Sequence, residues 1–296
     1  MVKTLKKYTI DLLPEDLRLH LNTYAYVFNP SVVSHQGGYL MSIRIHDPES
    51  NTILAYLYTW TDDTEYTRCN LSEYFKEIEG IQKVADPKLF MMGDQVWGTF
   101  NTGYVKKENN QLVLFKIKNT AIDAYFYCHY KNRSQIEKNW AFFIKDDKIH
   151  ALYGLGNTRV LKQHTIENKT ISFEDYIRED NPPFEGYTIG TPLVKLTEES
   201  YGFIGHKKIV VKGKRMYLGK AFKFSPSNTY EIEMTSKFLI HSFKSLKGDS
   251  FKFNKNLISC SYFSGMTKRN DEVLISYGIN DIDWNIISIK SNKLWA

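Results

Sequence analysis

Short runs of apolar residues alternate with polar ones in this chain, and pairs of turn-forming residues end the runs. The stretch 84–100, Val-Ala-Asp-Pro-Lys-Leu-Phe-Met-Met-Gly-Asp-Gln-Val-Trp-Gly-Thr-Phe, has this order most plainly. Its pattern predicts a strand over 89–92, a hairpin turn at Gly93-Asp94 and a returning strand over 96–100. Asp86 precedes Pro87, which favours an extended backbone at Asp86. The stretch therefore predicts a carboxylate at the start of a hairpin.

The same order of polar residue, strand, turn and strand recurs along the chain. The residues that open the units are Asn29, Asp86, Asn139, Thr191 and Ser261. Successive openings are 57, 53, 52 and 70 residues apart. A self-similar unit at a nearly constant period is typical of stacked or radially arranged repeats. The repeat, rather than any single motif, is the main organising signal.

A unit of this length holds about four short strands, which is one antiparallel blade of a β-propeller. We therefore predict an all-β, five-bladed β-propeller in a single domain over residues 1–296. Residues 1–23 are a lead-in and a candidate closing strand for the last blade, and the blades start near residues 24, 80, 124, 186 and 250. The alternatives are a β-sandwich and an α/β fold. Helical periodicity is confined to 71–78 and 172–179, which argues against an α/β fold.

Composition predicts a packed domain in a reducing compartment. The chain is 42% hydrophobic and 15% aromatic, which suits half-buried strands. Cys69, Cys128 and Cys260 have neither metal-ligand nor Cys-x-x-Cys spacing, so we interpret them as buried thiols. The sequence has no apolar leader and no apolar run of about 18 residues. These observations predict a cytoplasmic protein without membrane insertion.

The net charge of +6 is mild, and most lysines are scattered. A solvated surface explains most of them, and nucleic acid is a weak alternative. The densest basic patch lies at 207–208 and 212–215. Because this patch flanks a candidate site, we expect a negatively charged ligand there rather than nucleic acid.

Several polar residues stand where the pattern calls for buried strands. Arg44 ends an alternating strand, and because an inward arginine is costly to bury alone, it either pairs with an aspartate or binds a sugar. The tetrad Glu137-Lys138-Asn139-Trp140 precedes a predicted buried strand, and His206 lies beside Lys207 at the strand end that matches Arg44. The stretch 278–283, which contains Asp281, is either a hairpin turn or a set of acceptors for Arg44 or for sugar hydroxyls.

The order of these motifs resembles that of a known family. Along the chain stand Asn-Pro-Ser, Asp-Pro-Lys-Leu-Phe, Glu-Lys-Asn-Trp, Gly-Thr-Pro-Leu, Gly-His-Lys, Ser-Gly and Tyr-Gly-x-Asn-Asp. Over roughly residues 28–290 this order is similar to that of the five-bladed β-propeller carbohydrate-active enzymes related to the β-mannoside phosphorylases, which include β-1,2-mannosyltransferases. The family motif around the catalytic acid is Glu-Asp-Pro-Arg. Asp86 matches its aspartate, whereas Ala85 and Lys88 replace its flanking charges, which argues against phosphorolysis of a simple mannoside.

The resemblance implies a role for each matching residue. It implies that Asp86 is the catalytic acid in the axial pocket, that Asn29, Arg44 and Asp281 hold the sugar, and that phosphate meets basic residues near His206 and Tyr217. The candidate phosphate or anion ligands are Lys138, His206, Arg215 and Tyr217, and the further pocket residues are Lys88, Glu137, Asn139 and Thr191.

The chemistry of glycosidic bonds supports the same set. Hydrolases normally use two carboxylates, whereas transfer to phosphate needs one acid and an array of cations, because phosphate is itself the nucleophile. Asp86 with Lys138, His206, Lys207 and Arg215 supplies that array. The leading hypothesis is glycosyl transfer with phosphate or a phosphate-activated sugar, in the direction of glycan or cell-surface polysaccharide synthesis.

Two other functions stay open. One is a glycoside hydrolase in which Asp281, Asp283 or Glu137 is the second carboxylate, and the other is a glycan-binding propeller without catalysis. The predicted partners are a carbohydrate and phosphate or a phosphorylated sugar donor. The histidines lack metal-ligand spacing and no nucleotide-binding glycine loop occurs, so no metal or cofactor is predicted. The sequence leaves the oligomeric state open.

Overall fold

Strands dominate the chain. The structure is a computed structural model that describes residues 1–47, 51–61, 65–105, 108–180, 182–226, 230–247 and 254–295. Strand β1, Val2–Thr4, and helix α1, Glu15–Leu21, come first. Groups of strands follow, and neighbouring strands within each group pair antiparallel.

The groups follow one another along the chain. The first contains β2 Tyr26–His35, β3 Gly38–Asp47, β4 Thr52–Thr61 and β5 Thr67–Asn70, and helix α2, Leu71–Glu79, comes after it. The second contains β6 Ala85–Met92, β7 Gln95–Asn101, β8 Leu112–Lys118 and β9 Ala121–Tyr130. The third contains β10 Ala141–Lys145, β11 Lys148–Gly154, β12 Asn157–Glu167 and β13 Thr170–Asp180. The fourth contains β14 Tyr187–Ile189, β15 Val194–Lys195, β16 Tyr201–Val211, β17 Lys214–Ser225 and β18 Glu231–Ile240. The fifth contains β19 Leu257–Arg269, β20 Glu272–Ile279 and β21 Asp283–Lys290, and helix α3, Ser291–Leu294, ends it.

Parallel pairings connect groups into larger, curled sheets. Strand β9 pairs with β13, which joins the second and third groups, and β17 pairs with β19, which joins the fourth and fifth. The prediction of a nearly all-β fold is confirmed.

The structure differs from the sequence prediction at three places. Residue 124, the predicted start of a blade, lies within β9, which pairs antiparallel with β8 and so belongs to the second group. The helical pattern at 172–179 lies in strand β13, because tertiary pairing overrides a short local period. The lead-in forms helix α1, and its strand β1 pairs with β18 of the fourth group, whereas the fifth group receives only an isolated bridge from Thr9 to Ile287.

The residues that open the first three units share an unusual backbone. Asn29, Asp86 and Asn139 have φ angles of +55°, +48° and +62°, so the extended conformation expected at Asp86 is wrong. Asn and Asp are the side chains that best tolerate this left-handed region. The pairing register shifts at the first two of these positions, as it does at a β-bulge. Such bulges re-aim side chains at the end of a strand.

The first group contacts the second and fifth through short polar bridges. The Ser42 hydroxyl donates to the carbonyl of Pro87 at 2.9 Å, and the backbone N–H of Leu89 donates to the Ser31 hydroxyl at 2.8 Å. Gly278 packs on Asn29 so closely that a Cβ there would lie 2.0 Å from the Asn29 amide oxygen. These contacts hold the ends of β2, β6 and β20 together.

Candidate active site

An ion pair lies where these strand ends meet. Arg44 Nη1 donates to Asp86 Oδ1 at 2.7 Å, and the two side chains are 11% and 23% exposed. The Asn29 amide donates to the same oxygen at 3.4 Å. The Arg44 guanidinium also stacks 5.1 Å from the Phe28 ring centroid. Two side chains, from β2 and β3, therefore converge on one carboxylate oxygen of Asp86, which lies on β6.

The environment keeps Asp86 ionised. Burial alone would raise the pKa of its carboxyl, but the positive charges of Arg44, Lys88 and Lys138 outweigh burial and hold that pKa below its usual value. Asp281 is the opposite case, because burial raises the pKa of its carboxyl even though the Asn254 amide donates to Oδ2 at 2.8 Å. The two carboxyl groups are thus biased towards different protonation states.

Lys88 is a buried cation next to Asp86. Its Nζ donates to Asn139 Oδ1 at 2.6 Å and to the carbonyl of Gly190. Residue 190 must be glycine, since a Cβ there would lie 2.5 Å from the Ile204 carbonyl oxygen. Burial, opposed by Asp86 and aided by Lys138, lowers the pKa of Lys88 to about 7. Lys88 can therefore change its charge near neutral pH.

Tyr262 on β19 closes the site from the fifth group. Its hydroxyl lies 3.4 Å from both Asp86 Oδ2 and Asn139 Oδ1. Its ring stacks on His206 with centroids 4.8 Å apart, and Lys88 Nζ lies 5.7 Å from its ring centroid. Sequence reasoning missed Tyr262, because an aromatic residue in a strand is ordinary; its place directly after the repeat position 261 is the signal that could have found it.

His206 is neutral, which corrects its predicted role as an anion-binding cation. The backbone N–H of Phe263 donates to its Nε2 at 2.8 Å, so this nitrogen carries no proton. Burial and the charges of Lys88 and Lys138 lower the pKa of His206 to about 3. The imidazole packs under Tyr262 and adds no positive charge to the site.

Glu137 and Thr191 support backbone and neighbouring side chains. Glu137 is buried, and its carboxylate accepts from the Trp140 indole at 2.7 Å, the Tyr153 hydroxyl at 2.8 Å and the Ser134 backbone at 2.6 Å. Thr191 Oγ1 accepts from the backbone N–H of Ile204 at 2.9 Å. Thr191 therefore does not fit its predicted role as a pocket residue. Glu137 does line a cavity, together with Lys138 and Asn139, but its three hydrogen bonds make it a poor second carboxylate.

Lys138 is exposed beside this scaffold. Its charge acts on Asp86, Lys88 and His206. Lys138 and Asn139 line a cavity of about 220 Å³ that also contacts Tyr187. Among the predicted anion ligands, Lys138 thus lies on the Lys88 side of Asp86.

Arg215 and Tyr217 lie on the other side. Arg215 hydrogen-bonds to Tyr217, and the charges of Arg215 and Asp281 both act on that phenol. Asp281, Arg44 and Asn254 line a second cavity of about 400 Å³. Of the predicted anion ligands, Lys138 lines the smaller cavity, and neither Arg215 nor Tyr217 lines either of the two. Asn254 joins the site without having been predicted.

Two buried polar atoms beside Asp86 have no hydrogen-bond partner among the described residues. They are Asn29 Oδ1 and Arg44 Nε. Buried polar groups without partners are rare, and a bound ligand is one way to satisfy them. Asn29 Oδ1 faces Gly278, where a Cβ would lie 2.0 Å away, so this atom is covered by the protein itself.

The described ranges contain no cluster of three or more His, Cys, Asp or Glu side chains arranged to hold a metal ion. Within the same residues, no helix has the length and apolar character needed to cross a membrane.

The fold is shared with solved structures of carbohydrate-active proteins, although no family model and no curated protein matches the chain. The β-1,2-mannobiose phosphorylase of Listeria innocua in complex with β-1,2-mannobiose is 12% identical, with 91% of this chain and 90% of that chain covered and a TM-score of 0.59. A glycosyl hydrolase from Bacteroides ovatus is 14% identical, with 90% and 85% covered and a TM-score of 0.60.

A third structure was described with the GH130 family of mannoside phosphorylases, which contains glycoside hydrolases that target β-1,2 mannosidic linkages in Candida mannan. Its chain is 14% identical to this one. The alignment covers 90% of this chain and 85% of that chain, with a TM-score of 0.62. At such identities the likeness extends to the fold, which is of the propeller type.

Proposed function

We propose that this protein is a carbohydrate-active enzyme that transfers a glycosyl group to or from phosphate, with Asp86 as its general acid and base. The observation that carries the proposal is the convergence on one carboxylate of a cation and a carboxamide from the first strand group and a phenol from the fifth, namely Arg44, Asn29 and Tyr262. The likeness to phosphorylase and hydrolase structures supports glycosidic chemistry on this fold.

The ionised state of Asp86 favours the synthetic direction. There the hydroxyl of an acceptor sugar attacks the anomeric carbon of a sugar phosphate, the bond from that carbon to the phosphate oxygen breaks, and Asp86 takes the hydroxyl proton. In the reverse direction a phosphate oxygen attacks the anomeric carbon, the glycosidic bond breaks, and protonated Asp86 gives its proton to the departing oxygen. Because Arg44 holds the pKa of Asp86 low, the free enzyme is ready to act as the base.

The phosphate belongs, in this proposal, in the cavity beside Lys138. An anion in a partly dry cleft requires charge-assisted hydrogen bonds. The exposed ammonium of Lys138 lines the cavity and can donate hydrogen bonds directly to phosphate. The buried ammonium of Lys88 lies close enough to Lys138 to interact with it and adds positive charge to this side of the site. Glu137 also lines this cavity, and its carboxylate accepts hydrogen bonds from Trp140, Tyr153 and Ser134.

The sugar belongs in the cavity lined by Arg44 and Asp281. Arg44 lines this cavity, and the Asp86 carboxylate that it holds is 23% exposed and can accept from sugar hydroxyls. Arg215 and Tyr217 interact electrostatically with Asp281, and in this proposal they bind a distal part of the same substrate.

We also propose that the chain is a single five-bladed propeller. Five antiparallel strand groups follow one another along the chain. Each contributes a residue to the surroundings of Asp86: Asn29, Lys88, Asn139, His206 and Tyr262 in turn. Convergence of all groups on one end of an axis supports a radial arrangement.

A second candidate function is glycoside hydrolysis. The observation in its favour is Asp281, whose buried carboxyl has a raised pKa while that of Asp86 is lowered. Two carboxyls with divergent pKa values are the usual acid and base of a glycosidase. In that case Asp281 supplies the acid, Asp86 acts on water or on the sugar, and phosphate is not needed.

Product assays separate the candidates. The protein is offered β-mannosides and other glycosides with and without phosphate, and separately sugar 1-phosphates with acceptor sugars. The proposal predicts phosphate release that depends on an acceptor, and glycoside cleavage that depends on phosphate. Cleavage in water at a rate indifferent to phosphate would identify a hydrolase, and saturable binding without turnover would identify a glycan-binding propeller.

A further inference from the structure

The hairpin of β16 and β17 ends in an exposed tip of unusual composition. We call residues 208–214 the basic tip; it reads Lys-Ile-Val-Val-Lys-Gly-Lys. Ile209, Val210 and Val211 are 36%, 58% and 46% exposed. Because consecutive strand residues point to opposite faces, apolar side chains are exposed on both faces of the hairpin.

The tip has a defined shape. Val211 pairs with Lys214, and Lys212 and Gly213 between them have φ angles of +49° and +76°. Two central residues with positive φ are the signature of a type I′ turn, which matches the twist of the two strands. The apolar residues are therefore presented by an ordered hairpin.

The charge around the tip has one sign. Residues 201–230 contain seven Lys or Arg and no Asp or Glu. Among the described residues, no ion pair includes a lysine of the basic tip. A cluster of unpaired cations favours an anionic surface as its partner.

A second hairpin shows that this composition is not a general property of tips. The β12–β13 hairpin also turns through two residues of positive φ, Asn168 and Lys169, and also exposes an isoleucine, Ile166, to 48%. Its charges are balanced, however, since Glu167 adjoins the turn and Lys169 pairs with Glu79 at 3.0 Å. The tip of this hairpin is a matched control.

We propose that the basic tip docks the protein on an anionic lipid surface, with Ile209, Val210 and Val211 in the headgroup region and the lysines against lipid phosphates. Aliphatic side chains flanked by cations fit a surface that offers both an apolar boundary and negative charge. A soluble polyanion would use the lysines but would leave three adjacent aliphatic residues in water. The charge and the apolar exposure together therefore favour lipid.

Docking would bring the candidate site close to the lipid. Arg215 pairs with Val210, and Lys212 lies two residues further towards the tip, a span of about 7 Å. The docking surface itself does not depend on the proposed chemistry.

Vesicle flotation tests the proposal with the full chain. The protein is mixed with vesicles of phosphatidylcholine alone or of phosphatidylcholine with phosphatidylserine. We expect flotation with the second kind only, weakened by added salt. Replacing Lys212→Asn or Lys214→Gln should weaken binding about five-fold each, the effect expected of one cation near such a surface.

The paired variant Val210→Thr with Val211→Thr keeps β-branched shape but removes apolar contact, and it should also reduce flotation. The Ile166→Thr variant, altered on the control hairpin, should float with the vesicles to the same extent as the unaltered protein. Thermal unfolding of each variant separates loss of binding from loss of fold, and turnover of a soluble substrate should be the same in all of them. Flotation equal for both vesicle types, or none with either, would overturn the proposal. Binding to soluble polyuronate or duplex DNA in the absence of flotation would likewise overturn it.

Discussion

The hydroxyl of Tyr262 lies 3.4 Å from Oδ2 of Asp86, while Arg44 holds Oδ1 of the same carboxylate at 2.7 Å. The two carboxylate oxygens of Asp86 thus have different hydrogen-bond partners. Oδ1 is neutralised by an arginine, and Oδ2 has only a long contact with a phenol. Contacts of this kind often tighten when substrate binds. We therefore expect Oδ2 to exchange the proton with substrate and Tyr262 to position it.

Tyr262→Phe tests this positioning role. The phenyl ring keeps the stack on His206, but the hydrogen bond to the charged form of Asp86 is lost, so the pKa of Asp86 should rise. The acidic limb of the pH profile of kcat/KM should move to higher pH. Tyr130→Phe, which removes a hydroxyl that donates to Asp175 at 2.6 Å, is the control and should leave the profile unchanged. An unmoved acidic limb in Tyr262→Phe would exclude the role.

Lys88 predicts a pH dependence of anion binding. Its pKa of about 7 means that the ammonium is present below pH 7 and is lost above it. Affinity for phosphate or a sugar phosphate should therefore fall as the pH rises through about 7, and Lys88→Met should weaken the affinity and remove this step. Calorimetric titration with phosphate at several pH values measures this fall in affinity. If the Lys88→Met protein still shows the fall near pH 7, another group causes it.

The same residue predicts a change of stability with pH. The pKa of Lys88 is lowered on folding from 10.5 to about 7, so between these values the unfolded chain binds more protons than the folded one. The free energy of unfolding should rise with pH across that window through this group. Urea titrations at pH 7 and 9 should give a smaller rise for Lys88→Met than for the unaltered protein. Equal rises would show that Lys88 is not desolvated as described.

His206 should matter for stability rather than charge. His206→Leu leaves the buried N–H of Phe263 without an acceptor, which should cost about 1–3 kcal/mol of unfolding free energy. His206→Gln offers a side-chain oxygen in the same region and should recover part of that loss. Urea unfolding measures both variants. A His206→Leu protein as stable as the original would contradict the hydrogen bond.

Local patterns in the sequence predict the hairpins and the opening residues of the repeat. Asp86, with its strands on either side of Gly93-Asp94, follows from alternation and turn chemistry alone, and β6 and β7 pair as predicted. Asn70 caps helix α2 by accepting from the Glu73 N–H at 3.1 Å, and Gly80 ends it with φ of +68°, so the helical period at 71–78 also forms as expected.

Interactions between distant segments decide what the sequence could not predict. The parallel pairing of β9 with β13 has no local signal, which is why a blade boundary was expected at residue 124. The neutral state of His206 depends on the backbone of Phe263, 57 residues away. The sequence leaves Glu137 available, because its hydrogen-bond donors Trp140 and Tyr153 meet it only in the folded chain.

The most direct test of the central claim is turnover by Asp86→Asn. The amide keeps the shape of the side chain and can still contact Arg44 and Tyr262, but it cannot exchange a proton. The account predicts that the rate of phosphate-dependent glycosyl transfer falls by about 10²–10⁴-fold, with little change in sugar affinity or in the unfolding midpoint. Full activity in Asp86→Asn would contradict it and would leave Asp86 as a structural partner of Arg44.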